Sequence, residues 1–392
     1  MHPLSQLTLS PPPTPPPPLS PPFFFSLPQV VSSALTDTAS PSSLPRRACT
    51  DGRVTDWDAL EALLYRSLYS DCGWLAGEEG CLLVVEPVRT PRRDRERWAQ
   101  LAFERFNAAG LFALDAPVAA LYAVGRSSGT VIDVGHDKTD VACVLDGGVV
   151  TGSAVRLASG GAASEGVLAA RLATRGVNLT GLDPAVLRAA KQAAAAARPS
   201  RAAALEGMVG GGEGAPPTPS PTTLTLPDGT AVAVTAGDGI AVAEALVTPS
   251  DAVGVRADLA GRDSLAAVAL ASVAAAGSES AGGGGAASGG AALAARRAAL
   301  ETLVLCGGGA RVPGLAHRLE SDVRAALPAW AAFPPTWPEP PSYLPPHACG
   351  ALAAWTGGAI AAKTVFVQNQ HATRADYDEM GPIAIFRRGA GG

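Results

Sequence analysis

The chain lacks any cysteine pattern that would build a metal site or a disulfide framework. Its six cysteines, Cys49, Cys72, Cys81, Cys143, Cys306 and Cys349, are scattered over 392 residues without one C-x-x-C. That spacing excludes the usual zinc sites and suits buried, reduced thiols of an intracellular protein. Long hydrophobic runs are missing too: Ala-rich stretches such as LAAVALASVAAA at 265 to 276 fall well short of the ~20 strongly apolar residues a membrane span needs. Basic charge is not in excess, and a net charge of -5 argues against a chain that grips nucleic acid by its own field. No basic segment precedes the apolar FFFSL near the N-terminus, and its flanking prolines do not suit a secretory leader. Neither a G-x-S-x-G elbow nor an HExxH occurs, so nucleophilic and zinc hydrolases lose their usual support. No repeat with a period of 20 to 50 residues is visible.

What is present is enough apolar material, 47% of the residues, to bury one or two sizeable lobes. Glycine (44) and proline (34) are concentrated in a few stretches. Residues 1–48 carry PPPTPPPPLSPP and a Ser/Thr-rich run, which predicts a disordered tail without a packed core. Residues 207–221 and 277–290 read as flexible insertions. Order is expected from Thr50. Asp56 is placed to cap a helix with Leu60, Leu63, Leu64 and Leu68 at helical spacing, and CLLVVE at 81–86 reads as a buried strand. A helix follows with Trp98, Leu101 and Phe106 inward and Gly110 as its stop, and TLTLPDGTAVAVT reads as a hairpin turning at Pro227, Asp228 and Gly229.

Three glycine-bearing segments could carry chemistry. In VIDVGHDKTDVACVLDGG at 131–148, Asp133 and Gly135 mark a turn that could present backbone amides to a phosphate, or be an ordinary surface hairpin. Gly307, Gly308 and Gly309 follow the strand LVLC, and the helix from Gly314 could direct its start at a nucleotide. GGAIAAKT at 357–364 misses a Walker A loop because Ala362 replaces the second glycine; a helix packed by Trp355 and Ile360 is the better reading. Asp376, Asp378 and Glu379, like Asp56, Asp58 and Glu61, read as caps or solvated faces rather than metal ligands. Arg89, Arg92, Arg93, Arg95 and Arg97 alternate with Asp94 and Glu96 and read as a mixed helix surface.

In their order along the chain, GRVTDWDALE, VVEPVRTPRRDRERWAQLAFERFN, LYAVGRSSGTVIDVG, LPDG, LCGGGARVPGLAHRLESDV, WTGGAIAAKTVF and DYDEMGP resemble segments of the actin and actin-related proteins. The resemblance implies an α/β, two-lobed fold of the actin, Hsp70 and sugar-kinase type. Residues 49–116 and 352–388 would make the first lobe, lacking its N-terminal part, and 117–351 the second. Asp133, Gly135, His136 and Asp137 fall on the family's second phosphate loop, where His136 and Asp137 depart from the usual Asp-x-Gly-Asp-Gly. Gly161, Arg188, Lys191, Gly307, Gly308, Gly309 and Ala310 fall on nucleotide-pocket positions, with Gln192 in place of a glutamate. Ala116 stands where actin has the glutamine that orients the attacking water, and Asp140 where it has a histidine.

These departures imply weakened binding of ATP with magnesium and negligible hydrolysis, because positioning supplies much of phosphoryl transfer. The resemblance is greatest to divergent nuclear actin-related subunits of SWI/SNF- and RSC-type chromatin remodellers. It implies a nuclear protein that takes a helical segment of a remodeller ATPase and a second actin-related protein as partners. Tyr122, Ile360, Ala361 and Thr364 would line the groove for that helix. The alternative is an ATP-binding, hydrolysing actin-like cytoskeletal protein.

Overall fold

The structure, a computed structural model, describes residues 23–26, 47–209, 222–249, 264–280, 286–331, 334–339, 341–343 and 346–386. The chain forms β1 (Phe23–Ser26), then a small hairpin of β2 (Cys49–Thr50) and β3 (Arg53–Val54), then α1 (Trp57–Tyr65). Asp56 caps α1 as its sequence predicts, accepting a hydrogen bond of 2.9 Å from the Ala59 amide. Next come β4 (Cys81–Glu86), α2 (Arg92–Gln100), β5 (Gly110–Asp115) and α3 (Ala116–Ala123). All six residues of β4 are buried, which is why it reads as an unbroken apolar run rather than an alternating one.

β4 and β5 pair in parallel from Cys81 opposite Gly110 to Glu86 opposite Asp115, with α2 as the crossover. Gly110 therefore opens a strand instead of stopping a helix; the helix turns out through a wider turn over Leu101–Arg105 and ends at Phe106. The tail prediction also needs correction. Phe23–Ser26 is a strand that joins β4 in parallel, a long-range pairing that prolines on either side did not announce. At the other end of the expected tail, Ala48 is fully buried and its carbonyl accepts from the amides of Thr55 and Asp56.

A second sheet is built from β6 (Gly129–Val134), β7 (Thr139–Leu145), β8 (Gly148–Val149) and β9 (Val155–Leu157). Helices α4 (Gly161–Thr174), α5 (Pro184–Ala194) and α6 (Arg201–Val209) follow, then the hairpin β10 (Thr222–Thr225) and β11 (Ala231–Val234). The hairpin is antiparallel, as its alternation predicts. Helices α7 (Ala236–Val247), α8 (Leu265–Ser280) and α9 (Ala286–Leu300) lead to β12 (Leu303–Cys306), which pairs in parallel with β6. The chain closes with α10 (Leu315–Ala325), α11 (Pro346–Val365), β13 (Ala372–Thr373), which joins β5, and α12 (Arg374–Met380).

Of the two expected insertions, 207–209 belong to α6 and 210–221 lie outside the described residues. In the second, α8 and α9 extend inward to Ser280 and back from Ala286, leaving only 281–285 undescribed. Gly277 is helical because α8 packs there on the Arg296 side chain of α9.

Helices α3 and α11 lie together between the two sheets, and their shared core takes Leu83, Val85, Phe112 and Leu114 from one sheet and Val131, Val144 and Val304 from the other. Gly357 is the closest point: a Cβ there would run into the carbonyl of Ala119. GGAIAAKT is thus helix interior, as its missing glycine indicated. The side chains that pack it are Ala361 and Ala362, however, while Trp355 (43% exposed) and Ile360 (39%) face outward.

Candidate functional site

The parallel strands β6 and β12 end side by side, and both run directly into glycine turns, the place where open α/β sheets form a ligand crevice. A cavity of about 420 Å³ opens there, lined by Gly135, His136, Gly161, Arg188, Lys191, Gly308 and Gly309 among others. Ser164, Val242, Leu246, Arg311 and Val312, which the sequence did not single out, complete its wall. Gly307 sits outside the lining, pressed on Asp133 and Val134, and Ala310 belongs to the tight turn Gly308–Arg311. The start of α10 does not face the cavity; Gly314 packs on the Ala197 carbonyl.

One end of the cavity is an ion cluster. Glu165, one turn into α4 from Gly161, accepts from Lys191 Nζ at 2.8 Å and Arg188 Nε at 3.1 Å, while Lys191 also donates to the Gly161 carbonyl at 3.0 Å. Burial alone would raise the Glu165 pKa, but the bonds from Lys191 and Arg188 outweigh it and hold the carboxyl below its ordinary value. His136 lies 3.8 Å from Glu165 and 3.6 Å from Asp137. Its pKa is lowered chiefly by desolvation, against the pull of Glu165 and Asp137, so the ring is neutral at physiological pH.

Outside the cavity lining, the Asp137 side chain, 8% exposed, reaches Arg47 at 3.5 Å, and the Asp133 carboxyl is pushed above its ordinary pKa by desolvation, with Lys138 opposing. The amides at the start of α4, which an anion would need, are already committed: Gly161 donates to Gly135 O at 3.0 Å and Ala162 to His136 O at 2.7 Å. The groove residues lie apart from this cavity. Ala361 is in the α3–α11 core, Tyr122 is half-buried beside it, and Ile360 and Thr364 are exposed one turn apart.

The actin family model matches residues 32–208 and 184–390. The chain belongs to the actin family. It is 35% identical over 341 residues to "Actin-related protein 7" of Oryza sativa subsp. indica, a match covering 86% of this chain and 84% of that protein. To "Actin-related protein 7" of Arabidopsis thaliana it is 33% identical over 343 residues, covering 86% and 83%. "Actin-like protein 9" of Bos taurus is 25% identical over 337 residues, covering 86% and 72%. The mixed helix-and-sheet architecture with two larger sheets is the actin-like α/β fold, and the chain is an actin-related protein.

Within that fold, Ala116 is the first residue of α3, is packed partly buried against the α3–α11 core and does not line the cavity. Asp140 is not free to take part in chemistry: both its oxygens are held by Arg156, at 2.7 and 2.9 Å, and one also by Lys138. The cavity wall combines the apolar side chains of Ala195, Val242, Leu246 and Val312 with Arg188, Lys191, Arg311 and the His136 imidazole. The divalent cation of the family fits poorly, because the Asp133 carboxyl stands in the field of Lys138 and Arg156. Among the described residues no three His, Cys, Asp or Glu side chains converge as cation ligands.

Sequence reasoning missed Glu165, Lys138 and Arg156 as site residues. Glu165 had a signal, its spacing of four from Gly161 on one helix face. Arg156 had none, since its partners are an aspartate on another strand and two backbone carbonyls.

Proposed function

We propose that this protein is a non-catalytic actin-related subunit of a nuclear chromatin-remodelling complex. Its task is to hold a helical segment of the remodeller ATPase beside a second actin-related protein. The observation that carries the reading is an apolar strip on the outer face of α11. Ile360 (39% exposed), Thr364 and, just past the helix end, Val367 (80% exposed) follow one another at i, i+4 and i+7. That is the spacing an amphipathic partner helix would meet.

A negative net charge supports a role through protein partners rather than through direct contact with DNA. The absent glutamine at Ala116, the occupied Asp140 and the negative side chain of Asp137 in the turn after β6 support a subunit that does not turn over ATP. The 420 Å³ cavity is the one observation favouring the second reading, an ATP-binding actin-like cytoskeletal protein. Ile360→Asp combined with Val367→Asp tests the first. Both side chains are exposed, so the double variant should melt as the parent does yet lose the remodeller ATPase in affinity capture from nuclear extract. Undiminished capture by the folded variant rejects the groove.

A further inference from the structure

In a fold whose lobes ordinarily close on a nucleotide and a divalent ion, the first and second sheets are here joined by the chain's own charges. Arg156, on β9 of the second sheet, grips Asp140 with two hydrogen bonds. The same guanidinium donates across the cleft to the carbonyl of Asp51 at 3.1 Å and to that of Val88 at 2.8 Å, both on the first-sheet side. Lys138, also buried, places its ammonium on Oδ2 of Asp140, the oxygen that it shares with Arg156. A further cross-cleft pair, Arg47 with Asp137 at 3.5 Å, stands beside it.

The fit is specific. The hairpin of β2 and β3 turns on Asp51 (φ 51°) and Gly52 (φ 71°), the two left-handed positions of a type I′ turn. A Cβ on Gly52 would collide with the Lys138 stem, 2.6 Å from its Cδ, so the glycine lets the hairpin lie directly over the lysine. Lys138 and Arg156 together put two positive charges around Asp133 and Asp140, where a carboxylate pair would otherwise attract a divalent cation.

We propose that Lys138 takes the electrostatic place of the divalent cation and that Arg156 latches the two lobes, so that the cleft is closed without metal and without nucleotide. The latch is independent of which partner docks on α11.

Manganese binding followed by electron paramagnetic resonance, with hydrogen exchange at residues 49–55, tests this on the whole chain. The parent protein should bind no Mn²⁺ in the cleft, and its exchange should move by less than about twofold on adding EDTA or magnesium with ATP. Lys138→Met keeps the stem beneath Gly52 and removes the charge, so it should acquire one Mn²⁺ and a cation-dependent protection of 49–55. Arg156→Lys, chosen because Arg156→Ala risks unfolding, should speed exchange at 49–55 by about tenfold while β12 and α8 keep their protection. A stoichiometric Mn²⁺ in the parent, failure of Lys138→Met to gain one, or unchanged exchange in a folded Arg156→Lys would each overturn the proposal.

Discussion

Gly357 of α11 lies directly on the carbonyl of Ala119 in α3, so the two helices that join the sheets touch backbone to backbone. In an exposed helix, Gly→Ala gains up to about 1 kcal/mol of helix propensity. Here the added methyl has no room, and overpacking of this kind costs about 1–3 kcal/mol. Gly357→Ala is therefore expected to destabilise, with a fall in melting temperature by circular dichroism; a rise would show that α11 can move off α3 freely.

Glu165 holds two cations of the cavity wall, one of them, Lys191, almost fully buried. Glu165→Ala should cost about 1–3 kcal/mol in urea unfolding, since it leaves Lys191 without its carboxylate and with the Gly161 carbonyl as its one hydrogen-bond partner among the described residues. Pyrophosphate should recover part of that loss by supplying negative charge to Arg188 and Lys191, and should leave the parent unchanged. Equal stabilisation of both proteins would mean that Glu165 does not mask an anion site.

Glu86 is buried beside Arg95, but Arg95 is shared with Asp115, so desolvation prevails and the Glu86 pKa rises to about 8. The unfolded chain releases this proton near the ordinary carboxylate pKa, so the folded state holds more protons between the two values. Stability should then be full at low pH within that window and fall as pH rises from about 5 through 8, by roughly 1–3 kcal/mol from this group. Glu86→Gln should flatten the fall and melt higher than the parent at pH 8. A parent whose stability rises across that window contradicts the assignment.

Phosphate release from ATP by the purified protein should stay at the buffer rate, given Ala116 at the start of α3 and Asp140 tied to Arg156 and Lys138. Release well above buffer that Asp133→Ala abolishes would restore a catalytic role.

Much of the fold was legible because local signals agreed with it: the Asp56 cap, the apolar run of β4, the β10–β11 hairpin turning at Asp228 and Gly229, and the missing glycine that made 357–364 a helix. What escaped depended on partners distant in sequence. Phe23–Ser26 is a strand only because β4 lies beside it, and Gly277 is helical only because Arg296 of α9 packs against it. Arg95 sat in a stretch that alternates charge like a surface, yet it turns inward to Glu86 and Asp115. The site shows the same division. The glycine turns and the Arg188–Lys191 pair could be placed by segment order, whereas the Arg156 latch joins a side chain to two carbonyls and leaves no mark in residue type.

The central claim is that the outer face of α11 receives a remodeller ATPase helix, and quantitative affinity capture from nuclear extract tests it most directly. The parent chain and the folded Ile360→Asp, Val367→Asp variant would be compared by mass spectrometry. The account predicts that a remodeller ATPase and a second actin-related protein come down with the parent and fall at least about tenfold with the variant. Recovery of cytoskeletal partners alone, or equal recovery of the ATPase by both, would contradict it.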